Sequence, residues 1–143
     1  MAVTLQELIF PALECIHIGG FIVAIGTTAM VDFRLLDLGF RSQTPAQLAK
    51  DIRFWMLGGL LVAIFSGFAI YSTDPDMYYT NLPFLIKMAC LIAVIVFNYT
   101  IHRKVANSEA PSGSAKVVAL ISLLLWTLTI FGGIFIAFIS SEF

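Results

Sequence analysis

The sequence predicts an all-α integral membrane protein, a four-helix bundle with up-down-up-down topology, and three observations carry that prediction. The chain has 143 residues, of which 59% are hydrophobic and 12% charged. Soluble domains carry roughly twice that share of charge, about 25%. Four apolar runs, at 9–30, 54–71, 82–99 and 116–139, each approach the ~20 residues that a helix needs to cross a bilayer. Lys and Arg cluster in alternate connections, as membrane insertion requires. Together these make one domain, 1–143. Backbone groups in lipid must be satisfied within the segment, so helices are the economical form for all four runs.

The first run follows Thr4-Leu5-Gln6-Glu7, which reads as a capping box. It lacks a basic leader and contains Glu14 and His17, so it is expected to stay as a mature helix rather than to be cleaved. The second run is short, but Thr44-Pro45-Ala46-Gln47 supplies an N-cap, a proline at the first helical position and a glutamine at the third. Its helix should therefore begin two polar turns before the membrane. Short connections make successive helices antiparallel. The segment 110–114 reads as a small flexible linker.

Arg34, Arg41, Lys50 and Arg53 fall in or beside the first loop, and Arg103, Lys104 and Lys116 in or beside the third. The N-terminal segment, the 72–81 loop and the C-terminal tail carry no Lys or Arg. The positive-inside rule then places both basic loops in the cytoplasm and both termini outside. Trp55, Tyr71, Tyr78, Tyr79 and Tyr99 suit interfacial aromatic belts, whereas Trp126 lies mid-span, facing either lipid or a cofactor.

Net charge of −1 gives no electrostatic basis for nucleic-acid binding. Cys15 and Cys90 both lie in apolar runs and form neither a disulfide framework nor a metal-finger spacing. No serine–histidine pair, phosphate loop or carboxylate pair points to hydrolysis. Whether the chain is an enzyme stays open.

Ionisable groups inside a span cost about 2.5–3.5 kcal/mol on insertion scales, so they are functional candidates. Three lie well inside: Glu14, His17 and Lys87. At 1.5 Å per residue they fall roughly 8, 12 and 8 Å below the outer end of their spans, hence in one layer. Glu14 and His17 share a helix face. Paired small residues, Gly19-Gly20, Ser66-Gly67 and Gly132-Gly133, fall in that layer too. Glycines here serve either close helix packing or room for a planar ligand. The stripe Gly20, Ala24, Thr28 belongs to the first kind.

His17 can bind a haem iron through one nitrogen and donate its other N–H to an acceptor. The expected cofactor is haem b, with His17 as metal ligand and Lys87, Glu14, Gly20 and Gly132 lining the site. A purely structural Glu14–His17–Lys87 cluster remains open, as does another metal or a transported ion. His102 stands roughly 18 Å away in depth, so it cannot share a haem with His17, and its neighbours Arg103 and Lys104 suggest an interfacial position. Second-ligand candidates are Lys87, Glu14, Met88, a residue of a neighbouring subunit, or none. Copper would use His17, Cys15, Met88 and Cys90 as soft ligands. It ranks below haem, because Cys15 and His17 point about 200° apart on a helix. Asp32 and Asn98 should tie the inner end together, by a mutual hydrogen bond or an Asp32 salt bridge.

The segment His17-Ile18-Gly19-Gly20 through Gly26 to Asp32-Phe33-Arg34-Leu35-Leu36, with Phe84-Leu85-Ile86-Lys87 and Asn98-Tyr99-Thr100-Ile101-His102, resembles an uncharacterised family of small bacterial four-helix membrane proteins. The resemblance spans nearly the whole chain and implies a multi-pass protein of the bacterial inner membrane. The His-Gly-Gly start and the Phe-x-x-Lys segment also look like pieces of the copper-resistance D membrane domain and of small b-type cytochromes. That likeness implies electron transfer or reaction with a small oxidant near the outer face, with a redox partner. The stripe Gly20, Ala24, Thr28, with Gly58-Gly59 and Gly132-Gly133, offers more close-contact faces than one small bundle needs, so a closed homo-oligomer, a dimer or trimer, is expected.

Overall fold

The computed structural model describes residues 4–108 and 113–140, and they are helical nearly throughout. The order is α1 (Leu5–Leu35), α2 (Pro45–Tyr71), a short α3 (Pro75–Tyr79) and α4 (Leu82–Phe97). A π-turn at Asn98–His102 then leads into α5 (Arg103–Ala106), and α6 (Ser114–Ser140) closes the chain. Four rods, Leu5–Leu35, Pro45–Tyr71, Leu82–Ala106 and Ser114–Ile139, are long and apolar enough to cross a membrane. This is a multi-pass membrane bundle. The linker expected at 110–114 falls mostly outside the described residues, which omit 109–112.

Local chemistry sets the helix starts. Thr44 N–H donates to Gln47 Oε1 (3.1 Å) and Gln47 N–H to Thr44 Oγ1 (3.2 Å). This reciprocal cap starts α2 at Pro45, well before its apolar run. Thr4 N–H donates to Glu7 Oε2 (2.9 Å) at the start of α1. Asn81 Oδ1 accepts from Phe84 N–H (3.1 Å) at the start of α4, where Pro83 fills the first turn.

Helix α1 packs along α2, and α4 along α6; the two hairpins meet mainly where α1 touches α6. Two apolar cores run through the bundle. One joins Ala24, Met56, Leu60, Leu91, Val94 and Trp126 at mid-depth. Trp126 therefore faces the protein interior, with 1% exposure. The other core joins Val31, Leu35, Leu48, Ala106, Ala115 and Ala119. It gathers the end of α1, the start of α2, α5 and the start of α6 at one end of the bundle. Arg34, Lys50, Arg53, Arg103, Lys104 and Lys116 flank this basic end.

The tightest contact lies between α1 and α2. A Cβ on Gly20 would sit 2.7 Å from Ala63 N and 2.8 Å from Gly59 O. One on Gly59 would sit 2.7 Å from Gly20 O and 2.8 Å from Ala24 N. Gly20, Ala24 and Thr28 are all buried inside the bundle, so this stripe is occupied within the chain and offers nothing to a second copy. Lipid-facing residues around it are large and apolar: Ile22, Phe54, Trp55, Phe65 and Phe68 are all exposed. In the bilayer, that pattern is the reverse of a water-soluble surface.

Candidate functional site

Two polar sites lie inside the bundle, about 22 Å apart along α1 at 1.5 Å per residue. The first is built around His17. Its Nδ1 lies 2.7 Å from the Ala63 carbonyl on α2. A carbonyl can only accept, so Nδ1 carries the hydrogen. Ser66 Oγ stands 3.2 Å from the same nitrogen, while its own hydroxyl donates to Val62 O at 2.5 Å. His17 Nε2 is therefore the bare nitrogen, and the Lys87 ammonium approaches it from α4 at 3.3 Å. Phe21 closes one side, edge-on to the imidazole at 4.9 Å, with Lys87 Nζ 5.3 Å from its ring centre.

The neighbouring glycines shape this contact. A Cβ on Gly67 would meet His17 Cε1 at 2.8 Å, and one on Gly132 would meet Lys87 Cβ at 2.9 Å. Gly67 and Gly132 thus admit the His17 ring and the Lys87 stem. Gly20 stands apart, in the α1–α2 backbone contact. The structure brings His17, Lys87 and Gly132 together. Glu14 is exposed and makes no hydrogen bond or ion pair with His17 or Lys87. It lies instead near Tyr78, whose hydroxyl is held above the usual phenol range by burial first, then by the Glu14 and Asp74 charges. Tyr78 is buried in an aromatic lid, 5.5 Å from Phe84, which stacks on Tyr71 at 5.8 Å. Tyr79 and Trp55 are exposed.

Does this site suit a haem? One requirement is met: the Nδ1–H to carbonyl bond fixes the tautomer and aims Nε2 outward, as in metal-ligating histidines. One feature opposes it. Lys87 Nζ occupies the approach to Nε2, so the ammonium must swing aside before an iron can bind there. Among the described residues, no group of three His, Cys, Asp or Glu could hold a metal ion. The copper set is dispersed, with Cys15 and Met88 exposed and Cys90 half-buried.

The second site was only partly legible. Asp32 is fully buried (0% exposed) and its Oδ1 lies 2.6 Å from His102 Nε2. Ser122 Oγ donates to Asp32 Oδ2 at 2.9 Å. Of the two ties expected at the inner end, the ion-pair contact of Asp32 is the one present, made with His102 and joined by Ser122; Asn98 instead donates its amide to Val94 O (2.9 Å) in its own helix. His102 is buried, with 6% exposure, rather than interfacial. The physical reason is its register: Leu91, Val94, Asn98, His102 and Ala106 follow one interior stripe, all buried. In the wide turn, Arg103 N–H bonds Asn98 O. Such turns concentrate at functional positions.

A membrane bundle with two polar sites, one at a half-buried, oriented imidazole and one at a buried carboxylate–imidazole pair, is the class these observations define. The chain belongs to the family of unknown function DUF6644, whose model matches residues 9–139. No curated protein and no solved structure matches it.

Proposed function

We propose that this protein is a b-type haem protein of the bacterial inner membrane, exchanging electrons or reacting with a small oxidant near the outer face. The observation that carries this reading is the His17 tautomer: Nδ1–H is committed to the Ala63 carbonyl (2.7 Å), which leaves Nε2 as the ligating nitrogen. Lys87, displaced from Nε2, would neutralise a haem carboxylate, and Gly132 would let its stem lie close to α6. Bound haem supplies reversible one-electron exchange at its iron. The protein's part is to orient the imidazole and to keep the site within apolar walls. The chain purified in detergent from haem-replete cells should show a Soret band that shifts on dithionite. His17→Ala should abolish it and His102→Ala should retain most of it. A colourless wild-type preparation would sink the haem reading.

The second reading is a non-catalytic membrane subunit, or an ion- or copper-handling protein, in which His17 and Lys87 tie the two hairpins together. The filling of Gly67 and Gly132 by those two side chains favours it. Colourless protein that His17→Ala destabilises would support this alternative.

Orientation follows from the basic end. Seven Lys and Arg residues lie in or beside the two loops at this end, so we place it in the cytoplasm and both termini outside. With Cys15 and Cys90 replaced, single cysteines at Ser42 and Ser112 should resist an impermeant thiol reagent in intact cells. Labelling of either from outside would reverse the topology.

For oligomers, Gly19, Gly26 and Gly58 have nothing within 4 Å of a built Cβ. Gly19 and Gly58 floor a lipid-facing groove of about 410 Å³ between Ile16, Val23, Phe54, Trp55 and Val62. A helix of a second copy fits such a surface, and a dimer is the simplest closed form, with a trimer next. Mass in nanodiscs should be twice or three times that of the chain, and Gly58→Leu should reduce it to one. A wild-type monomer would remove the oligomer.

A further inference from the structure

The basic half of the bundle holds two stacked tiers of buried polar side chains. The inner tier is Asp32, His102 and Ser122, joined by the 2.6 and 2.9 Å bonds to one carboxylate. The outer tier lies one helical turn away on the same three rods. Thr28 precedes Asp32 by four residues, Asn98 precedes His102 by four, and Trp126 follows Ser122 by four. Because α6 runs antiparallel to α1 and α4, all three are displaced in the same direction, by about 6 Å. Thr28 is 2% exposed, Asn98 5% and Trp126 1%.

Two atoms of the outer tier are buried without a hydrogen-bond partner: Asn98 Oδ1 and Trp126 Nε1. One is an acceptor and the other a donor. The amide cannot be turned over to relieve this, because Nδ2 must face the Val94 carbonyl, 2.9 Å away. Thr28 donates its hydroxyl hydrogen to Ala24 O (2.8 Å), so its oxygen retains lone pairs. A single water molecule would accept from Trp126 N–H and donate to Asn98 Oδ1 and Thr28 Oγ1. Buried waters typically make about three hydrogen bonds to such groups.

We propose that Asp32, His102 and Ser122, with one water molecule held by Thr28, Asn98 and Trp126, form a proton-binding site at the basic end of the bundle. Asp32 lies three residues from the end of α1, and His102 four from the end of α5, so the pair stands within about two turns of the basic end. On binding, the proton leaves hydronium as water and becomes an N–H or O–H hydrogen shared across the 2.6 Å Asp32–His102 contact. No electron moves. With one proton, the pair is net neutral; without it, a carboxylate stands alone in the apolar interior, which is costly.

Among the described residues, no other titratable group faces the pair. Lys50, Asp51 and Arg53 on α2, Arg103 and Lys104 on α5, and Lys116 on α6 all lie on exposed faces. Arg34 on α1 is turned to Gln43 O (2.7 Å) and Asp37 (3.6 Å). The site does not depend on the haem reading and can be tested in colourless protein.

The test uses the full chain in nanodiscs, with ¹⁵N at histidine and tryptophan. Trp55→Phe, a change on the lipid-exposed face, leaves Trp126 as the single indole. The Trp126 N–H should show magnetisation transfer from water and exchange for deuterium. Asp32→Asn should move the His102 ring nitrogens towards those of an unpartnered imidazole, leave His17 unmoved, and lower the dissociable protons by one per chain. If Asp32→Asn does not fold, Ser122→Ala should shift the same His102 signals. A Trp126 N–H without water contact, or His102 signals indifferent to these substitutions, would overturn the proposal.

Discussion

Gly59→Leu is expected to separate α1 from α2 and to lower stability by about 3 kcal/mol, the upper part of the range for overpacking. The new Cβ would stand 2.7 Å from Gly20 O and 2.8 Å from Ala24 N. Both are backbone atoms, so neither can yield by changing rotamer, and the helices themselves must move. Gly58→Leu is the matched control. Its Cβ meets nothing within 4 Å, so in monomeric detergent it should cost no more than about 0.5 kcal/mol. Unfolding by SDS titration in mixed micelles, followed by circular dichroism, measures both. Equal losses at the two positions would mean that the close approach of α1 and α2 is absent from the membrane form.

The same pair of glycines shows what the sequence could and could not convey. Length, hydropathy and the two Thr-initiated caps determine the helices, because each depends on neighbours within a few residues. Positive-residue asymmetry constrains how they alternate. Which glycine faces a helix, a side chain or lipid depends on the rotation of each rod, and local sequence leaves that free. Gly19 and Gly20 are adjacent, yet one is open and the other pressed against α2. His17 and Lys87 meet at one level, and that level is legible because depth follows from rise per residue. Glu14 shares that level but is exposed, because rotation about α1 is not set by rise. His102 was obscured by Arg103 and Lys104 beside it. A signal was nonetheless present. Asp32 extends the Gly20, Ala24, Thr28 series by four residues, and His102 extends Val94, Asn98 in the same way. Two ionisable residues that continue such stripes at one depth are brought face to face as partners.

Asp32→Ala should cause the largest loss of any single side-chain truncation, about 3–5 kcal/mol, the range for breaking a buried charged pair. The substitution leaves His102, 6% exposed, and Ser122, 0% exposed, without the carboxylate that both contact. The His102 ring would then face a small apolar cavity. A coupled substitution separates the pair's net worth from the penalty of stranding one member. Asp32→Leu with His102→Leu removes both polar groups and restores volume, and should recover most of the loss, because apolar replacement of a buried pair is often neutral or better. Thermal unfolding of wild type, the two single variants and the double variant, in one detergent, completes the cycle. Strong coupling with near-wild-type stability in the double variant would mean that the pair is retained for what it does rather than for what it stabilises. If Asp32→Ala cost less than about 1 kcal/mol, the carboxylate would already be solvated and the tight inner tier would not exist in the bilayer.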